Sequence, residues 1–587
     1  MAKILKTNEK IRVQHSPKKL LEFSINILRT NKFLFGITLI SIIRLWLTSD
    51  IKLIAIPSNT DDFHYTLLAY YIKSGDWLGP LDQLTLHTKT FFPVYLAYIS
   101  KMQLPYIFMN HLIYVLSVIF AFFTIRKIIK NDLILLLGYT LVLFNPMLYA
   151  GDVSRVVREG IWVPLAILIV FLYIRILFLE DQFLKKYLYS ILCGFCLGGF
   201  YLTREDGLMI FPIVGLLSFA FVVFKFKSFK LNLIKYIILL IIPLFVTKSM
   251  IYCNQSLNKK KYKVGITWEG ELKSAGEFGN ALSQIHQDIK ISGIPYSRDT
   301  RLKLYQEVPE FAKLKQFEDI FLAWSEKTGK NQGELIHFNH ALKWALHQAG
   351  YYENYKKIDE FYKNAKSDIL RAYDEGRLKR KMDKPSDKKN SIALFFEKIS
   401  GPYPSMLYDL LFEKYSEMIK GLNFALKLND FKQFETHEFG SVTYGDENVI
   451  NIFKEVTNSP IAFTEEDATP ERLLLQANTL KNKLMLYNYK AYSVFTQWVF
   501  YISLIFSLFI VYHEYKNKSY ALSVLLSACL AIIVIRIYIL VTILHTNNLF
   551  SVKYLSLVYA FIYIFVAISF GFFANYLLSI YRKKNLI

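Results

Sequence analysis

The sequence predicts a polytopic α-helical membrane protein, with about ten transmembrane helices and a large, mainly helical extracytoplasmic domain. Three observations predict it. The 587 residues are 53% hydrophobic, with a mean hydropathy of +0.26, too apolar for an ordinary soluble chain. Apolar runs of about 18 residues or more recur, long enough to cross a bilayer core of about 30 Å as helices. A helix satisfies its own backbone hydrogen bonds, which lipid cannot do. Lys and Arg also gather in alternate short connections, the asymmetry that sets orientation in a membrane. The 48 Phe, 40 Tyr and 7 Trp suit segments resting at lipid–water interfaces.

Residues 1–32 carry eight Lys or Arg and no signal-peptide cleavage pattern, so they read as a cytoplasmic basic tail. The first span is expected at 33–49, followed by an outer loop over 50–105. In that loop Phe63, Leu67, Tyr70 and Tyr71 make a helical stripe that ends at Gly75, and a second helix is expected near 91–103. Further spans are expected at 106–125, 132–150, 161–179, 187–202, 207–224 and 233–251. The basic turns at 126–130, 185–186 and 225–230 then fall inside. Residues 252–492 are polar, hold no span and are long enough for their own core, so they read as an extracytoplasmic soluble domain. Helices are expected there at 301–328, 334–348, 353–378 and 471–488, with a few strands or irregular chain at 430–462. Three more spans at 493–513, 519–542 and 551–578 complete the chain, with a basic tail to 587.

The net charge of +22 at first suggests nucleic acid. Much of it flanks the spans, where it meets anionic headgroups, and no interleaved aromatic–basic motif accompanies it. Cys193 and Cys196 lie inside an apolar run without a second pair or a nearby His, which indicates packing rather than metal.

The candidate site lies where charge meets the expected outer face. Asp61 and Asp62 open the first-loop helix. The helix dipole favours one acid there, but two adjacent carboxylates repel unless a cation or substrate joins them. Glycosyl transfer needs such a carboxylate to take the proton of the attacking acceptor. Tyr65 shares their helical face. In the short loop after the third span stand Asp152, Arg155, Arg158 and Glu159. Arg204, Glu205 and Asp206 end the fifth span. Such residues can simply anchor helix ends. Arginines can equally hold a phosphate through paired hydrogen bonds, and Lys89 is a further candidate for a phosphate contact. His64 and His87 are candidate general acids or metal ligands, though a lone His on a surface loop is more often just a polar residue.

At these residues the chain resembles the polyprenol-dependent glycosyltransferases of the GT-C superfamily. The resemblance rests on one span, a long first outer loop and the Asp61-Asp62 pair. Gly75-Asp76-Trp77-Leu78-Gly79 and Lys89-Thr90-Phe91-Phe92-Pro93 are similar to bacterial members related to protein O-mannosyltransferases and aminoarabinose transferases. So are Val157-Arg158-Glu159-Gly160 and Thr203-Arg204-Glu205-Asp206-Gly207. The resemblance covers about residues 30–250. It implies a GT-C-like transmembrane module over 33–251 and an inverting glycosyltransferase that uses a polyprenyl-phosphate sugar donor on the outer face of a bacterial cytoplasmic membrane. Asp61 or Asp62 would be the catalytic base. Arg155, Arg158, Arg204 and Lys89 would bind donor phosphate, and Tyr65, His64, Glu159, Glu205 and Asp206 the remaining substrate. Some relatives use a divalent cation such as Mg or Mn and others do not. No clear Asp-X-Asp stands in the second outer loop, so a metal facing Asp62, Asp152 or Glu159 stays open. The acceptor would be a cell-envelope glycan, a lipid-linked glycan or a protein. Two other readings stand beside this one, a transporter or flippase for lipid-linked glycans and a non-catalytic assembly subunit. Arg44, Arg175, Lys248 and Arg536, within or near apolar runs, are what a transporter would carry.

Overall fold

The computed structural model describes residues 32–51, 53–54, 61–149, 154–180, 182–226, 230, 232–288, 296–321, 338–381, 447–462, 480–547 and 552–584. It is mostly helical. Among the described residues, seven helical segments are long and apolar enough to cross a membrane: Tyr106–Ile125, Glu159–Leu179, Glu205–Phe224, Leu233–Tyr262, Val494–Asn517, Ala521–Leu540 and Ser556–Arg582. The other three expected spans are also helices, but shorter or less apolar. These are α1 (Lys32–Thr48), α5 (Asp132–Leu143) and α7 (Phe183–Thr203).

The remaining helices that position the site can be named in chain order. The first loop contributes α2 (Asp61–Lys73) and α3 (Phe91–Lys101). The bundle contains α4 (Tyr106–Ile125), α6 (Glu159–Ile174), α8 (Ile210–Phe224) and α9 (Leu233–Tyr262). Helix α6 is apolar all round, and every residue but Leu168 is buried, as a central helix requires. It packs on α4 and α7, and on the last helix of the chain, Ser556–Lys584. This burial carries the charged segment before α6 into the middle of the bundle's end. Large apolar side chains stay exposed on the outside, among them Phe219, Phe245, Trp498 and Leu508. They form the surface that lipid would cover.

The helix expected at 301–328 ends at Glu307, before Pro309, and the segments expected at 471–488 and 493–513 run, where described, as one helix, Leu480–Asn517. Two further boundaries differ from the sequence reading for identifiable reasons. Helix α5 stops at Leu143, not 150, because Pro146 disfavours helical backbone in the residue before it and Asn145 caps a new short turn at Pro146–Leu148. Helix α9 runs on for 30 residues to Tyr262, past the expected 251. Its polar end is held by the first loop: Trp77 Nε1 donates to Asn258 Oδ1 at 2.7 Å, and Tyr262 Oη donates to the carbonyls of Trp77 and Gly79 at 2.7 and 2.8 Å. Three lysines in its last turn complement the helix dipole. Gly79 has φ +76°, and a Cβ there would meet the Tyr71 ring at 2.3 Å, so the turn admits no side chain.

A second core forms around α10 (Lys273–Ser283), α11 (Arg298–Glu307), α12 (Phe338–Gln348) and α13 (Tyr355–Asp374), with Phe278, Phe311 and Phe361 at its centre. Leu68, Leu78 and Leu86 of the first loop are buried in the same cluster, so the loop is the floor on which these helices sit. A buried latch joins them. Glu269 accepts from Tyr352, Tyr362 and Lys343 at 3.0, 2.7 and 2.9 Å, and Lys343 Nζ also donates to His87 Nδ1 at 3.0 Å. Further along, α14 (Glu447–Thr457) packs on α2, with Lys73 paired to Glu455 at 3.0 Å. Of the strands expected at 430–462, residues 430–446 lie outside the described residues. Ile461–Ala462 pairs parallel with Leu53–Ile54.

Candidate active site

The acidic pair that opens α2 is divided by helix geometry. Successive helical residues point about 100° apart, so the two carboxylates cannot share surroundings. Asp62 turns inward, is fully buried, and is gripped by Arg155 through both carboxylate oxygens: Nε to Oδ2 at 3.0 Å and Nη2 to Oδ1 at 2.5 Å. Asp61 stays partly open and lines a narrow pocket with Tyr65, Val157, Arg158, Glu159, Arg204 and Tyr554. Tyr65, one turn on from Asp61, shares its face as the i, i+4 spacing requires.

The second and third clusters meet as ion pairs. Arg158 Nη1 donates to both Glu205 oxygens at 2.8 Å, and its guanidinium lies 5.3 Å from the Tyr65 ring centre. Arg204 reaches Glu159 at 2.5 Å and Asp206 at 3.0 Å. Asp206 is also paired to Arg536, which is fully buried. The guanidiniums of Arg204 and Arg536 lie 4.9 and 4.8 Å from the Trp162 ring centre. Arg204, Glu159, Asp206 and Arg536 thus form one alternating chain of charge. In a poorly solvated interior each member needs its neighbour.

Lys89 is buried, and its ammonium lies 3.5 Å from the Tyr201 ring centre while donating to the Tyr201 carbonyl at 3.1 Å. Its backbone amide donates to Glu205 Oε1 at 3.4 Å, the oxygen that Arg158 Nη1 also reaches. Burial lowers its pKa to about 8, against the partial support of Glu205, Glu271 and Asp206. His64 is buried beside Thr88, 3.1 Å from its hydroxyl. Burial brings His64 to about 4 despite the nearby Asp61 and Asp82. His87 is held well below the usual imidazole range, by burial first and then by Lys343 and His340. Both rings are therefore neutral near pH 7, and His87 accepts from Lys343 rather than serving as an acid.

Among the described residues, the pocket's buried side chains leave the Tyr65 hydroxyl without an internal partner. The Tyr65 hydroxyl is buried, and no group among the described residues hydrogen-bonds to it. Leaving such a group unsatisfied costs about 1–3 kcal/mol, a cost that a water or a ligand's acceptor atom would remove. Of the carboxylates expected to face a metal, Asp62 and Glu159 are each engaged by an arginine, and Asp152 lies outside the described residues. Among the described residues no three His, Cys, Asp or Glu side chains gather as a ligand set.

Sequence reading missed Trp162, Tyr554, Glu269 and Lys343, which carry no local signal. Arg536 did carry one: a lone arginine in an apolar helix implies a buried partner. That partner is Asp206 at the site. Arg175 similarly donates to Tyr189 Oη at 2.8 Å and to the Phe123 carbonyl at 3.2 Å, and Arg44 donates to the Leu143 carbonyl at 3.1 Å. Lys248 is exposed on the side of α9.

No family model matches the sequence, and no curated protein matches it. Among solved structures, the chain is similar to the crystal structure of ArnT from Cupriavidus metallidurans in the apo state. The identity is 10% and the TM-score 0.32, over 92% of this chain and 78% of that one. It is also similar to the same protein bound to undecaprenyl phosphate, at 11% identity and a TM-score of 0.33, over 79% of this chain and 76% of that one. The functional reading that follows stands on the residues of the site.

Proposed function

We propose that this chain is an integral membrane glycosyltransferase that moves a sugar from a polyprenyl-phosphate donor to an acceptor on the outer face of the membrane, with inversion. One observation carries the proposal. Four segments far apart in sequence converge on a single pocket, bringing the Asp61 carboxylate beside two arginines and the Tyr65 hydroxyl, which has no partner among the described residues.

In this reading the acceptor's nucleophilic atom attacks the anomeric carbon as the bond from that carbon to the phosphate oxygen breaks. Asp61 takes the acceptor's proton. The leaving polyprenyl phosphate keeps the bonding pair, and Arg158, with Lys89 and Arg204, stabilises its growing charge in a site of low dielectric. Asp62 acts as a positioning residue that fixes Arg155. Helices α10–α13 stand over the first loop and would select the acceptor, whether glycan, lipid-linked glycan or protein. Charges at the ends of spans favour this reading over a transporter, whose ionisable groups would gather near the midplane.

The deciding experiment offers a panel of polyprenyl-phosphate sugars to the purified chain in nanodiscs and follows release of polyprenyl phosphate by mass spectrometry. Release that Asp61→Asn abolishes supports the transferase. Tight donor binding without release, together with full cellular activity of the same variant, would favour a transporter.

Two variants sharpen the donor site. Tyr65→Phe removes a hydroxyl that no group among the described residues satisfies. It is expected to leave thermal stability unchanged or raised, and to weaken donor binding several-fold, by about 1 kcal/mol for one lost hydrogen bond. Lys89 sets a pH dependence whose sign follows from its lowered pKa of about 8. Below that value the ammonium is charged. As pH rises through it the charge is lost, while the donor phosphodiester stays singly negative. Donor affinity should therefore fall between pH 7 and 9, and Lys89→Met should bind weakly with a flat profile. A wild-type affinity constant across that range would remove Lys89 from the donor site.

A further inference from the structure

The far end of the bundle holds a second site. Helix α4 begins at Tyr106, whose hydroxyl donates to the Val157 carbonyl at 2.9 Å beside the Asp62–Arg155 pair. The helix is 20 residues long and ends at Ile125, about 30 Å away at 1.5 Å per residue. There a cavity of about 450 Å³ opens between Phe123, Arg126, Lys127, Lys130 and Asp132, within the range of about 300–1,000 Å³ typical of ligand pockets.

Its charges do not cancel. Arg126 is paired to Asp132 through two contacts, at 3.0 and 3.3 Å. Lys127 reaches Glu180 at 2.9 Å and the Leu179 carbonyl at 3.2 Å, closing the turn that ends the Arg175–Leu179 segment. Lys130 is exposed and has no carboxylate partner among the described residues. Among the described residues three cations thus face two carboxylates, and one positive charge is left over at the cavity.

The surroundings are apolar. The Arg126 guanidinium lies 4.3 Å from the Phe33 ring centre, and Phe123 lines the cavity. Directly after Asp132, Leu133 and Leu137 lie one turn apart on α5 and are 68% and 64% exposed. A lipid-facing apolar strip therefore runs away from a cavity with net positive charge. A free inorganic anion would use the cavity and leave the strip uncovered, whereas a phospholipid uses both. Basic pockets between membrane helices are suited to anionic headgroups.

We propose that this cavity binds the headgroup of an anionic glycerophospholipid. Lys130 is the principal contact to its phosphodiester, Arg126 and Lys127 flank it, and the acyl chains lie along Phe123, Leu133 and Leu137. The site is independent of the transferase reading, because it lies at the opposite end of α4 and its test reads lipid retention rather than turnover.

The full-length chain, purified in detergent and stripped of lipid, is titrated with phosphatidylglycerol or phosphatidylcholine, and the lipid retained per chain is counted by native mass spectrometry. Phosphatidylglycerol should bind at one saturable site and phosphatidylcholine should not. Lys130→Gln should weaken binding about fivefold, the effect of one lysine near an anionic headgroup. Asp132→Asn should tighten it. Lys225→Gln removes a lysine from the same end of the bundle but outside the cavity, and should bind as wild type does. Equal losses in Lys130→Gln and Lys225→Gln would overturn the site, leaving only diffuse surface charge. Equal retention of phosphatidylcholine, or displacement of the lipid by millimolar inorganic phosphate, would overturn it as well.

Discussion

Asp61→Asn is expected to lower donor turnover about 10²- to 10⁴-fold, the usual contribution of a positioned general base, while the protein stays folded and still binds donor. Asn keeps the shape and loses the capacity to accept a proton. Asp61 stands partly open at the pocket, where Asn of the same size fits its place. Asp62→Asn should behave differently. Its carboxylate is fully buried and meets Arg155 through both oxygens, so the substitution leaves a guanidinium without its counter-charge. Removing one partner of such a pair costs about 3–5 kcal/mol. A lowered unfolding temperature, with turnover per folded molecule reduced less than in Asp61→Asn, is the expected signature. Equal stability of the two variants with equal loss of turnover would show that the carboxylates share the chemical role, and would sink their division into base and positioning residue.

The second large effect is expected at Asp206. Asp206→Ala strands Arg536, which is fully buried, and leaves Arg204 with Glu159 alone. The expected loss is again about 3–5 kcal/mol, read as a fall in thermal unfolding temperature in detergent. The double variant Asp206→Leu with Arg536→Leu should recover most of that loss, because apolar groups of similar size need no counter-charge. A double-mutant cycle would then give a coupling well above the additive limit of about 0.5 kcal/mol for independent sites. If Arg536 instead lay on a transport path, Asp206→Ala would barely change stability, and Arg536→Leu alone would abolish function.

Much of the helical layout was legible in the sequence, because long apolar runs and alternating basic turns are local signals. The span expected at 106–125 coincides with α4, and the acids expected to open a first-loop helix do so at Asp61. Where the reading ran short or long, a neighbour decided. Asn254 and Asn258 extend α9 because the first loop offers them partners: Asn254 bonds to Thr90, and Asn258 to Trp77 and the Ile266 carbonyl. No periodicity within 233–262 could announce those contacts.

The site was legible as residue types and not as pairs. Asp61, Asp62, Arg155, Arg158, Glu159, Arg204, Glu205 and Asp206 were all conspicuous as charges at the ends of apolar runs. Which of them stay open to a ligand depends on which arginine meets which carboxylate, and that rests on contacts across 45 to 330 residues. Tyr554 and Trp162 entered the site for the same reason, since an aromatic ring in a membrane protein carries no mark of the cation it will lie beside.

The sequence by itself determined the class of chain and the ends of helices at which charge collects, because burial of apolar surface and the cost of charge in lipid act residue by residue. Tertiary structure decided the division of Asp61 from Asp62, the pairing of Arg536 with Asp206 and the unpartnered Tyr65 hydroxyl. These depend on the direction in which each side chain leaves its helix and on what another helix places there, which one-dimensional spacing does not encode.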